Sequence, residues 1–257
     1  MPKRFRVIAG PNGSGKSTLV EYLRTRGKVD LHAVLNADEI YAEVSHTLVF
    51  KPLVSLQHDV LEEFAQNSGY DGEIKRPFSD GRIRVTDDGV QFSSSGVVTS
   101  YTVSLLTNFL LREYLAAGLS FSLETVFSHF SKVEALKAAF EAGYRTYLYF
   151  VATQDVAINV DRIANRVRQG GHDVPSDKVE SRALRSLRNV IEALPYCTRA
   201  FFLDNSREKM MLVAEVDRDK GVAQVADVFP QWFASLCRAF SLHSCTDGPH
   251  RIPMGEN

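Results

Sequence analysis

A chain of 257 residues, 44 % hydrophobic and 24 % charged, carries enough apolar material for one good-sized α/β domain with an insertion. Its formal net charge of −1 gives no support to a polyanion partner, so composition argues against nucleic acid. No apolar run reaches the roughly 18 residues that suggest a membrane span, no leader precedes the first strand, and Cys197, Cys237 and Cys245 lack C-x-x-C spacing. These features predict a cytoplasmic protein with reduced thiols, no membrane segment and no zinc site.

In chain order, residues 5–9 (FRVIA) are a short β-branched run and read as a buried strand. Gly10-Pro11-Asn12-Gly13-Ser14-Gly15-Lys16-Ser17-Thr18 follows and matches the phosphate-binding pattern G-x-x-x-x-G-K-[ST]. A helix is predicted over 17–26, so strand, glycine loop and helix form the unit that pattern requires. Glycines let backbone N–H groups approach phosphate oxygens, and the helix start favours negative charge. Lys16 is placed to reach β- and γ-phosphates, and the Ser17 hydroxyl to ligate Mg²⁺.

A second strand is expected over 31–35, then helices over 37–46 and 51–66. Residues 67–99 change texture: Asp-Gly pairs at 71–72, 80–81 and 88–89 separate β-like pieces at 72–78, 81–86 and 89–93, which predicts a small β-hairpin insertion. Helix 100–117, strand 120–123, helix 132–142 and strand 146–151 follow. A helix over 154–169, a glycine loop over 170–175 and a helix to about 194 form a lid-like region. Strand 200–203, a hairpin at 210–216 and 222–228, and a helix over 230–240 lead to a tail, 241–257, with no ordering pattern. Strands alternating with helices predict a three-layer αβα sandwich on a mainly parallel five-stranded sheet. The expected division is one domain over 1–240, with the insertion and the lid at 154–194, and the tail.

In such sheets the ligand lies beyond the carboxyl ends of the strands. That rule selects Asp38, Glu124, Thr153 and Asp204. Asp38 suits a general base that takes the proton of an attacking hydroxyl, or else a helix cap. Glu124 suits binding of acceptor hydroxyls or of a Mg²⁺-bound water, or again a cap. Thr125, Ser128 and His129 follow it and are candidates to line an acceptor pocket. Arg162, Arg166 and Arg168, with Arg182, Arg185 and Arg188, flank the lid loop, where planar guanidinium forks can bind a transferring phosphate; some of the six serve only as a solvated basic face. Asp204 and Asn205, after strand 200–203, are candidates for the nucleotide base side.

Four segments together resemble the zeta-toxin family of P-loop kinases: GPNGSGKST at 10–18, NADEI at 36–40, SLETVFSH at 122–129, and RIANRVRQGGHDVP at 162–175 followed by SRALRSLRNV at 181–190. The likeness runs over about 5–66 and 100–206. It implies an ATP- and Mg²⁺-dependent transfer of the γ-phosphate to a sugar hydroxyl of UDP-N-acetylglucosamine. Lys16 and Ser17 would serve ATP and Mg²⁺, Asp38 would be the base, Glu124 and Thr125 would face the acceptor, and arginines near 162–168 would contact the γ-phosphate. An antitoxin protein is a partner of such kinases. The insertion at 67–99 departs from the toxin core, and no antitoxin segment is fused ahead of the first strand, so neither the acceptor nor a toxin role follows from the likeness. A regulatory ATPase without an acceptor and a nucleic-acid end kinase are the alternatives.

Overall fold

The computed structural model describes residues 2–26, 29–169, 174–224 and 226–239. In chain order the first elements are β1 (Arg4–Ala9), α1 (Lys16–Arg26), β2 (Ala33–Asn36), α2 (Ala37–Thr47), β3 (Val49–Phe50), α3 (His58–Asn67) and α4 (Gly72–Ser79). There follow β4 (Ile83–Thr86), β5 (Gly89–Phe92), α5 (Ser100–Ala116), β6 (Phe121–Thr125), α6 (Ser131–Glu141) and β7 (Arg145–Ala152). The last are α7 (Val156–Arg168), α8 (Ser176–Ala193), β8 (Arg199–Asp204), β9 (Met211–Asp217), β10 (Gly221–Gln224) and α9 (Gln231–Ala239). They fall into two compact units, one up to His32 and from Ser122 onward, the other Ala33–Phe121.

The first unit is built on strands in the order β10-β9-β8-β7-β1-β6. β7 lies parallel to both β1 and β8. The hairpin expected in the tail forms β9 and β10 and extends this sheet antiparallel from β8. β7 reads as a nearly continuous apolar run because a central parallel strand is covered on both faces. Phe150 of β7 and Phe202 of β8 are fully buried, and α9 packs on them through Trp232 and Phe233, with ring centroids 6.0 and 5.1 Å away. The proposed tail at 241–257 and the Gly170–Asp173 part of the lid loop lie outside the described residues.

In the second unit α5 carries the longest apolar stretch, started by a capping box between Thr99 and Thr102. Its buried side packs against α2, α3 and α4. β3, β5 and β4 form a small antiparallel sheet whose turn is Asp87-Asp88. Two expectations are corrected here. Residues 72–78 were expected as a β-like piece and form α4, because Pro77 and Phe78 lie one turn from Ile74 and bury together on one helical side. Helix 51–66 begins only at His58: Pro52 cannot donate to a helix ladder, and the Leu53 amide is taken by the Tyr114 hydroxyl at 3.1 Å. Among the described residues no helix is long and apolar enough to cross a membrane.

Candidate active site

The loop between β1 and α1 is fixed by the protein around it. Gly13 has φ 76°, and a Cβ there would stand 2.5 Å from the Asn159 carbonyl oxygen of α7. Gly15 has φ 101°, and its Cβ would stand 2.2 Å from Asn205 Nδ2, beyond β8. Glycine is therefore required twice over, by backbone conformation and by close approach. The loop closes on itself as the Ser14 amide donates to the Pro11 carbonyl at 3.2 Å, and Lys16 Nζ donates to the same oxygen at 3.0 Å.

Beside the loop, Ser17 Oγ donates to Glu124 Oε1 at 2.7 Å. Glu124 comes from the end of β6 and is 8 % exposed. Its other oxygen, Oε2, is buried with no partner among the described residues, as are Asn12 Oδ1, Ser14 Oγ and Arg162 Nη1. Asn12 and Ser14 belong to the loop, and Arg162 lies one helical turn beyond Asn159, which abuts Gly13. Each unpaired buried polar atom costs on the order of 1–3 kcal/mol. Such atoms gathered at one loop are what a site completed by a polar ligand requires. The Ser17 hydroxyl and the Glu124 carboxylate are hard oxygen donors and fit Mg²⁺. The loop amides at the start of α1 fit phosphate.

α7 is capped by Asp155, whose carboxylate accepts the Ala157 amide at 2.8 Å. Asn159, Arg162 and Arg166 follow at three- and four-residue steps and share one side of the helix. Arg168 is exposed and is held by Asn165. Asp38 is exposed in the first turn of α2; the cap is Asn36, whose Oδ1 accepts the Asp38 amide at 2.9 Å, so the Asp38 carboxylate is not spent on capping. Thr125 Oγ1 accepts the Phe127 amide at 3.3 Å, and Ser128 is half-buried. His129 is exposed, with Nδ1 2.9 Å from Ser131 Oγ at the start of α6. Just beyond it, burial pulls the Lys132 ammonium down to about 8.

Asp204 and Asn205 have partners inside the protein. Asp204 Oδ2 accepts from Trp232 Nε1 at 2.7 Å and from Ser206 Oγ at 2.9 Å, while Asn205 Nδ2 donates to the Ser14 carbonyl at 2.8 Å. Two residues of α8 that the motifs did not single out act on the turn after Glu124. Ser186 Oγ donates to the Val126 carbonyl at 2.6 Å and Asn189 Nδ2 to the Phe127 carbonyl at 2.9 Å. They support Phe127, which holds φ 64° without being glycine. Their signal was present in the sequence as two short polar residues three apart on the apolar side of a helix. In the second unit, 51–56 and 85–89 line a cavity of about 520 Å³ whose charged groups are Lys51, Asp87 and Asp88.

The Zeta toxin family model matches residues 87–201. That stretch holds Glu124, Thr125 and the lid arginines; the phosphate loop and Asp38 stand on their own residues. An uncharacterized protein of Haemophilus influenzae is 31 % identical over 77 residues, 30 % of this chain and 52 % of that protein, so the match spans about half its length. Among solved structures, the AvrRxo1-ORF1:AvrRxo1-ORF2 complex with sulphate ions gives a TM-score of 0.51 at 13 % identity, over 84 % of this chain and 59 % of that chain. The PezAT chromosomal toxin-antitoxin system of Streptococcus pneumoniae gives 0.49 at 13 % identity, over 83 % and 72 %. At 13 % identity the first of these likenesses is one of fold alone. The match to the Zeta toxin family model thus covers residues 87–201, less than half of a chain that has the α/β fold of a P-loop NTPase.

Proposed function

We propose that the protein is a kinase that transfers the γ-phosphoryl group of ATP to a hydroxyl of a small acceptor, with a UDP-sugar such as UDP-N-acetylglucosamine as the first candidate. One observation carries this reading: the hydrogen bond from exposed Ser17 to the buried Glu124 beside the phosphate loop, with Glu124 Oε2 unpaired among the described residues. A glycine turn without a ligand gives no reason to bury a carboxylate half-satisfied, because an ionised group is costly to bury unpaired. Ser17 and Glu124 would hold Mg²⁺, which supplies charge neutralisation on the phosphates when bound. Lys16 and the loop amides bind the phosphate chain. Arg162 and Arg166 face the transferring group and balance its charge. Asp38 takes the proton of the acceptor hydroxyl as its oxygen bonds to the γ-phosphorus and the bond to the β–γ bridging oxygen breaks, releasing ADP. Thr125, Ser128 and His129 line the acceptor side. An antitoxin protein is the partner we propose, on family grounds.

The test is incubation with ATP, Mg²⁺ and a panel of nucleotide sugars and small hydroxylated metabolites, read by mass. One acceptor should gain a phosphoryl group with the wild type and none with Lys16→Met. ATP consumption that no acceptor changes would instead favour a regulatory ATPase. Asp38→Ala should bind ATP as the wild type does and lose transfer; full transfer by that variant would remove Asp38 from the mechanism.

A further inference from the structure

The protein has a single tryptophan, and it is tied to the phosphate loop through two residues. Trp232, on α9, is 7 % exposed and donates its indole N–H to Asp204. That carboxylate sits at the end of β8 with both oxygens engaged, since the Ser206 amide also donates to Oδ1 at 3.0 Å. The strand end is held from β7 as well: the Asn205 amide donates to the Ala152 carbonyl at 2.8 Å, and Ser206 Oγ accepts the Gln154 amide at 2.7 Å. Asn205 is thereby presented to the loop, where Nδ2 bonds the Ser14 carbonyl and fills the space that a side chain at Gly15 would need. The amides that follow Ser14 begin α1 and are the ones a phosphate would take. An amide that donates to the Ser14 carbonyl fixes the plane of the Ser14–Gly15 peptide, and with it the direction of the Gly15 N–H.

We propose that Asn205 is the positioning residue of the phosphate loop, that the Trp232–Asp204 bond fixes Asn205, and that Trp232 therefore reports nucleotide binding. This rests on the nucleotide-binding reading above. Both carboxylate oxygens of Asp204 have partners within the protein, and Asn205 acts on the loop backbone.

The experiment uses the full chain with ATP or a non-hydrolysable analogue and Mg²⁺. Tryptophan emission of the wild type should change on titration, half-saturating at the dissociation constant given by calorimetry. Asn205→Leu keeps the side-chain volume but removes the donor. It should weaken nucleotide binding by about tenfold, the loss expected for one hydrogen bond, and abolish the emission change. Trp232→Phe keeps a ring against Phe150 but removes the indole donor and part of the ring volume; it should weaken binding by a smaller factor, read by calorimetry at a temperature where its thermal transition shows it folded. The double variant should lose no more affinity than Asn205→Leu alone, because the second change acts through the first. Wild-type affinity in both single variants, or losses that multiply in the double variant, would overturn the relay while leaving nucleotide binding intact. A wild type that binds no nucleotide by calorimetry would overturn the relay and the reading it rests on together.

Discussion

At Glu124 the chemistry of a single carboxylate separates structure from function. One oxygen is satisfied by Ser17 and the other is buried without a partner among the described residues. Glu124→Gln keeps the size and removes the charge. It is expected to lower Mg²⁺-dependent turnover by about 100-fold or more and to leave folding stability equal or higher, since an unpaired buried charge is lost. Turnover across a Mg²⁺ titration, with urea unfolding beside it, checks both. Lys132 gives a second residue-level expectation. Burial lowers its ammonium to about 8 from 10.5. Between those values the unfolded chain binds the proton that the folded chain has released, so stability from this group rises with pH across that window and is smallest below it. Thermal midpoints of wild type and Lys132→Met, compared from pH 7.5 to 10, should therefore shift in favour of the wild type. The loop residues were legible as a motif because their chemistry is local in sequence. The role of Trp232 was not, because its partner Asp204 lies 28 positions away and the bond between them exists only once α9 docks on β7 and β8.

Among the elements, α8 does more than carry arginines. Ser186 and Asn189 hold the carbonyls of Val126 and Phe127, two and three residues past Glu124. Ser186→Ala and Asn189→Leu should each cost about 1–2 kcal/mol, the loss of a buried hydrogen bond and of a carbonyl's partner, measured by urea unfolding. Faster amide exchange at 126–129 in both variants would locate the effect in that turn; exchange unchanged there would show that α8 does not support it. α4 makes the opposite point about legibility. Its glycine, its proline and two flanking Asp-Gly pairs are turn signals, and local propensity reads them as short strands. Burial of Phe78 outweighs propensity, which spans only about 1 kcal/mol between residue types outside proline. The hairpin β4–β5 was legible because an Asp-Asp-Gly turn between alternating residues fixes its own register.

For the whole molecule, a ligand of the phosphate loop stabilises the folded chain by mass action, by about 2.7 kcal/mol at a hundred times the dissociation constant. ATP with Mg²⁺ should therefore raise the thermal midpoint of the wild type, and Lys16→Met should lose that rise; an equal rise in the variant would move nucleotide binding away from the loop. By itself the sequence determined the strand–loop–helix unit and the alternation of strands and helices in the first unit. Each of these is written in short-range spacing, where backbone geometry and periodicity act within a few residues. Tertiary structure alone decided which polar atoms are left unpaired at Glu124, Asn12, Ser14 and Arg162, and that Asp204 is spent on Trp232 while Asn205 holds the loop. Hydrogen bonds between segments far apart in the chain leave no trace in local pattern, because each partner is an ordinary polar residue until the fold brings the other within 3 Å.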